Sequence, residues 1–185
     1  MNSLSSIELA ITVFCDLWRA GKLDVPLVVA GDVILYNDEI RRAVQLGGEL
    51  GAVKTVGFVA DDALGALYGR ALGMVYPSRF EGFGLPPLEA MSHGCPVVTC
   101  RDTAIPEVCG DAAIYLDPAR EPESLAEAVV LLASSDERRR DLGARGRARA
   151  AGFSWRRAAE PYLAALADLR HRRWGGVAGG GPHRI

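Results

Sequence analysis

Only three histidines and four cysteines occur in the chain, and Cys15, Cys95, Cys100 and Cys109 form no CxxC pair. This leaves little room for a zinc framework or a histidine-rich metal site. Cys95 and Cys100 sit in or beside an apolar, strand-like run, which points to buried free thiols and a reducing compartment. No apolar run approaches the roughly 18 residues needed to span a bilayer. The opening Met1-Asn2-Ser3-Leu4-Ser5-Ser6 lacks the basic stretch of a secretory leader. The expected location is therefore cytoplasmic, with peripheral contact at the membrane left open. Neither sign of charge dominates, because 21 Lys+Arg stand against 23 Asp+Glu for a net charge of −2. A global attraction to nucleic acid or anionic membrane is thus not expected. With 49% hydrophobic and 24% charged residues over 185 positions, the chain can bury one sizeable core, but a second full domain is not expected.

What is present is an alternation of apolar patterns. Residues 7–19 carry Leu9, Ile11, Val13, Phe14 and Leu17 at helical intervals, and residues 26–31 form a short β-rich run. Asn37 is placed to cap a helix through Leu46, residues 53–59 read as a strand, and Asp61 or Asp62 is placed to cap a helix bearing Leu64, Leu67 and Tyr68. Further strands are expected at 73–77, 96–100 and 112–116, with a helix running to about His93 between the first two. Helices over about 122–133, 135–151 and 155–170 close the pattern, with Ser134 and Glu137 fitting a capping box. On the last helix Trp155, Ala159, Tyr162, Leu166 and Leu169 form one apolar stripe that is expected to pack against something. Residues 175–185, rich in glycine, read as a flexible tail. Short apolar strands alternating with helices predict a doubly wound α/β domain with a parallel sheet.

One segment concentrates chemistry: Glu81-Gly82-Phe83-Gly84-Leu85-Pro86-Pro87-Leu88-Glu89. Its glycines permit a tight turn and close backbone approach, and Pro86 or Pro87 suits the first position of a helix. Free N–H groups at that helix start, just beyond the carboxyl end of a strand, are where an open α/β sheet receives an anionic ligand.

The run EGFGLPPLEAMSHGCPVV resembles the E-x7-E region of retaining glycosyltransferases of GT-B architecture, the nucleotide-sugar-dependent group often called family 4. The resemblance continues through VGFVADDALGALYGRALGMVYPSRF before it and IPEVCGDAAIYLDP after it, covering about Leu9 to Leu169. It implies that residues 1–174 are the carboxy-terminal, Rossmann-like, nucleotide-sugar-binding half of a GT-B fold. It also implies a separate acceptor-binding half, and an unknown acceptor. By the same resemblance Glu81 is the catalytic residue beside the donor sugar, and Glu89 hydrogen-bonds the nucleotide ribose. Gly82, Phe83, Gly84 and Leu85 approach the sugar and distal phosphate, while Val59 contacts the nucleobase. A nucleotide-diphosphate sugar is the implied substrate, with no cofactor, no metal and no nucleic-acid partner. The residue types suit glycosyl transfer, in which positive charge grows on the sugar ring and negative charge on the departing phosphate.

Members of that group open this domain with a strand, a glycine-rich turn and an Arg and a Lys that neutralise the diphosphate. The resemblance here begins at the helix that follows, so the expected sheet lacks its first, central strand and the site lacks both cations. A helix N-terminus offers roughly half a positive charge against roughly two negative charges on a diphosphate. Arg79 is the nearest cation by sequence. Two other readings therefore stay open: a noncatalytic remnant or binding module of GT-B ancestry, and a GT-B nucleotide-sugar epimerase or phosphorylase. Taken alone, the two glutamates also suit a helix start electrostatically, Glu107 reads equally as a helix-start carboxylate, and His93 reads as a helix-end residue. Arg138, Arg139, Arg140, Arg145, Arg147 and Arg149 read as a solvated face rather than a nucleic-acid or lipid surface.

Overall fold

The computed structural model describes residues 6–31 and 37–174, with side chains through residue 170. The proposed tail at 175–185 lies outside the described residues. In order, the elements are α1 (Ser6–Arg19), β1 (Leu27–Ala30), α2 (Asp38–Leu50), β2 (Val53–Gly57), α3 (Asp61–Arg70), β3 (Met74–Tyr76) and α4 (Leu85–Ser92). They continue as β4 (Val97–Thr99), α5 (Ile105–Cys109), β5 (Ala113–Tyr115), α6 (Glu121–Ser134), α7 (Asp136–Ala150) and α8 (Trp155–Trp174). Chain contacts divide them into two units, Met1–Ala150 and Ala151–Ile185.

All strand pairings among the described residues are parallel, as expected of an α/β Rossmann-like fold. They fall into two sheets, β1-β2 and β3-β4-β5. Leu27 pairs with Val53 in the first, and Val97 lies between Met74 and Ala113 in the second. Coverage on both faces is complete only at β4, whose Val97, Val98 and Thr99 are fully buried, whereas Lys54, Thr55 and Val56 of β2 are exposed.

Strand alternation divides the core. Val97 joins Ala90, Met91, Ile105 and Val108 on one side of β4, while Val98 joins Leu9, Val13, Leu125 and Leu132 on the other. A third cluster unites Ile11 and Cys15 of α1 with Ile40, Val44 and Val53. Helix α1 thus buries two faces: Leu9, Val13 and Leu17 point into one core, Ile11 and Cys15 into another. Fully burying a side chain such as Leu125 contributes about 1.5–3 kcal/mol. All four cysteines are buried and free.

Several local expectations are corrected. Asn37 caps α2, accepting from the Ile40 N–H at 2.8 Å, but the helix runs past Leu46 to Leu50 and stops at Gly51 in left-handed geometry. Neither Asp61 nor Asp62 caps α3, because both lie inside its first turn and Ala60 occupies the cap position. There they still oppose the helix dipole favourably. Ser134 ends α6, its hydroxyl donating to the Val130 carbonyl at 2.8 Å, so the residue capping α7 is Ser135, which accepts from Arg138 N–H at 3.3 Å.

The second unit contains α8, opened by Ser154, whose hydroxyl accepts from Arg157 N–H at 3.2 Å. Pro161 lies within this helix and removes one rung of its hydrogen-bond ladder. The apolar stripe expected to be packed is exposed: Trp155, Tyr162, Leu166 and Leu169 are all at least 61% accessible. No described helix is long and apolar enough to cross a membrane.

Candidate active site

The site is built where β3 ends and α4 begins. Tyr76 is the last residue of β3, and its backbone carbonyl accepts from the hydroxyl of the fully buried Thr99 at 2.8 Å, which ties β3 to β4 beside the turn. The Tyr76 phenol in turn donates to Glu81 Oε1. Burial foremost, then this bond and the Glu81 charge, push the Tyr76 pKa up from its ordinary value. The Glu81 backbone N–H donates to Thr103 Oγ1 at 3.2 Å. Thr103 has φ 51, the one described non-glycine residue in the left-handed region. A β-branched residue there carries backbone strain, which the surrounding turn must hold in place. Glu81 is therefore fixed from two sides, by a strand-end tyrosine and by the loop between β4 and α5.

Gly84 occupies the cap of α4 at φ 98 and ψ 44, with no side-chain cap. A Cβ there would lie 2.8 Å from Ile105 Cδ1, so α5 packs directly on the turn. The left-handed glycine starts the helix one residue earlier than expected: Leu85 is first, and Pro86 and Pro87 follow it. The prolines have no N–H, so the first turn offers Leu85 as its leading donor rather than a full set. Gly82, Phe83 and Leu85 are exposed around the buried Gly84.

Glu89 lies one turn further along α4 and is exposed, near enough to Tyr68 that its charge, after burial, raises the Tyr68 pKa. Val59 lies in the connection from β2 to α3, beyond a strand of the other sheet. Glu81, Gly84 and the α4 start are thus brought together by direct contacts with Thr103 and Ile105, whereas Val59 follows a strand of the other sheet. Arg79 turns away from the turn and pairs with Glu121 at 2.5 Å, at the start of α6. That hydrogen bond and charge raise its pKa. Among the described residues no group of three or more His, Cys, Asp or Glu could hold a metal ion.

Tyr76, Thr99 and Thr103 were not singled out from sequence. Tyr76 carries a usable signal, being a strand-end phenol five positions before Glu81. Thr103 carries none, since its role depends on the return of the chain after β4.

The parallel sheets with their flanking helices define a Rossmann-like α/β domain, and comparison with known proteins narrows the class. Residues 4–149 match the family described as glycosyl transferases group 1, and the chain belongs to that family, with a GT-B type fold. It is 39% identical over 134 residues to an Escherichia coli "O-antigen chain mannosyltransferase B", covering 72% of this chain and 35% of that protein. It is 35% identical over 162 residues to a Mycobacterium tuberculosis "GDP-mannose-dependent alpha-(1-6)-phosphatidylinositol dimannoside mannosyltransferase", covering 86% and 39% respectively. Among solved structures, sucrose-phosphate synthase from Thermosynechococcus elongatus superposes with TM-score 0.74 at 25% identity, over 89% of this chain and 42% of that one. Anabaena HepE, solved with UDP and glucose, shares the fold at TM-score 0.71 and 22% identity, over 91% and 47%. The chain spans less than half the length of each of these relatives.

Proposed function

We propose that this chain is the donor-binding part of a retaining glycosyltransferase, which moves a hexose from a nucleotide-diphosphate sugar to an acceptor. The observation that carries the reading is the fixed position of Glu81, held by the Tyr76 phenol and Thr103 beside the glycine turn into α4. Breaking the bond from the anomeric carbon to the phosphate oxygen leaves positive charge on the ring and negative charge on the phosphate. The Glu81 carboxylate opposes the first, and the Leu85 N–H with the dipole of α4 opposes the second. The acceptor oxygen bonds to the anomeric carbon on the face the phosphate leaves, and its proton passes to the departing phosphate oxygen. Glu89 takes the ribose and Val59 the base.

The helix start supplies roughly half a charge against roughly two on the diphosphate. Arg79 is committed to Glu121, so the reading assigns the remaining neutralisation and the acceptor site to a further part of the assembly. Mannose on a guanine nucleotide is the first donor to try, because the E. coli and M. tuberculosis relatives carry mannosyltransferase names and one specifies GDP-mannose.

Isothermal titration of the chain with GDP, UDP and GDP-mannose tests this. The expected result is saturable binding that Glu89→Ala weakens by roughly 10- to 100-fold, the worth of a hydrogen bond to a charged group. A cooperatively melting chain that binds none of the three would overturn the reading in favour of a noncatalytic module.

A further inference from the structure

A second cleft lies at the opposite ends of the strands from Glu81. It has a volume of about 310 Å³ and is lined by Gly94 and Pro96, just before β4, and by Asp136, Arg139, Arg140 and Arg147 of α7. The six arginines of α7 divide into groups with different duties. Arg139 donates to the Leu132 and Ala133 carbonyls at the end of α6 and pairs with Asp136. Arg145 reaches the Asp111 carbonyl and carboxylate, and Arg149 donates to the Val108 carbonyl at 2.9 Å and to that of Glu107. These three tie helices together. Arg140 and Arg147 make no hydrogen bond or ion pair among the described residues, yet both face the cleft.

Two glycines explain the placement. Gly143 lies so close to the Gly94 carbonyl oxygen that a Cβ would stand 2.5 Å from it, which presses α7 onto the turn before β4. Arg140 and Arg147 lie three and four residues to either side of that contact and share its face of the helix. Gly94 has φ +74, and a Cβ there would meet Arg147 Nη1 at 1.7 Å, so the guanidinium occupies space that only glycine leaves free. The one acid in the lining, Asp136, is already paired with Arg139. The cleft therefore presents two uncompensated guanidinium groups, carried by residues whose backbones lie about 10 Å apart along the helix axis.

We propose that this cleft is a binding site for a phosphate-class anion, with Arg140 and Arg147 as its ligands. Guanidinium forks match phosphate oxygens in bidentate geometry, and two such forks on one cleft suit a diphosphate better than a single carboxylate. The site is distinct from the turn at Glu81 and does not rest on the donor reading.

The test is titration of the whole chain with inorganic pyrophosphate at low ionic strength, alongside flotation with phosphatidylcholine vesicles with and without phosphatidylglycerol. Saturable pyrophosphate binding should weaken at least about tenfold in Arg140→Ala/Arg147→Ala and less in Arg140→Lys/Arg147→Lys. If the anion is a lipid headgroup, flotation with the anionic vesicles is lost in the same double alanine variant. Binding that survives the double alanine variant, or absence of binding in both arms from a folded chain, would overturn the proposal.

Discussion

Replacing Gly84 by alanine tests whether the turn into α4 is set by backbone geometry. Gly84 lies at φ 98 and ψ 44, a left-handed conformation that costs an L-residue about 1–2 kcal/mol. The new Cβ would also stand 2.8 Å from Ile105 Cδ1. Overpacking of a core at such a contact costs about 1–3 kcal/mol. The two add to about 2–5 kcal/mol, which for a unit of this size lowers the melting temperature by roughly 4–20 °C. Circular dichroism during heating reads the shift. Ile105→Val removes the methyl that the new Cβ would strike, so Gly84→Ala/Ile105→Val should be less destabilised than the sum of the two single variants. The backbone portion of the loss should remain. A Gly84→Ala melt within about 2 °C of the parent would refute the geometry, and strict additivity would refute the Ile105 contact.

Other substitutions separate rigid from yielding neighbours. Gly143→Ala meets a backbone oxygen at 2.5 Å and Gly65→Ala meets the His93 ring at 2.7 Å, so denaturant midpoints should fall further for Gly143→Ala, because an imidazole can turn aside and a backbone cannot. Ser135→Ala should cost about 0.5–2 kcal/mol of stability and Ser134→Ala much less, measured by urea denaturation, because only Ser135 caps α7. Burial pushes the Cys95 and Cys100 thiols up to about 12, Glu121 adding to the effect at Cys100, and pushes Cys109 up to about 11. Unfolded thiols release protons from about pH 8.5, so between there and pH 11–12 the folded chain holds more protons than the unfolded one. Stability from this source should be intact at neutral pH and fall steadily through that window; a urea midpoint that does not change between about pH 8 and pH 10.5 would contradict it.

Much of the fold was legible because its signals are local. Every expected strand formed within one or two residues of its reading, since short β-branched runs between glycine and proline have few alternatives. Capping was less legible: Asp61 and Asp62 both fall inside α3, and α7 is capped by Ser135 rather than the expected Ser134, because only the chain path decides which residue precedes a helix. The helix start at Leu85 was displaced by the φ of Gly84, which composition does not reveal. At the candidate site the glutamates and glycines announced themselves by spacing. Thr103, 22 residues from the N–H it accepts, could be found only once the strands were in register.

The two-faced burial of α1 has a consequence for how the first unit comes apart. Among the described residues no strand ladder joins β1-β2 to β3-β4-β5, so each sheet by itself could open independently. Yet Ile11 and Cys15 anchor α1 to the smaller sheet's core while Leu9, Val13 and Leu17 of the same helix fill the larger one. Peeling the smaller sheet away strips water-excluded surface from a helix whose other face is still engaged, so the cost of opening either sheet falls on both. Helix α1, helped by Leu27 of β1, thus does the work of a shared strand, and the unit should absorb heat in one transition rather than two.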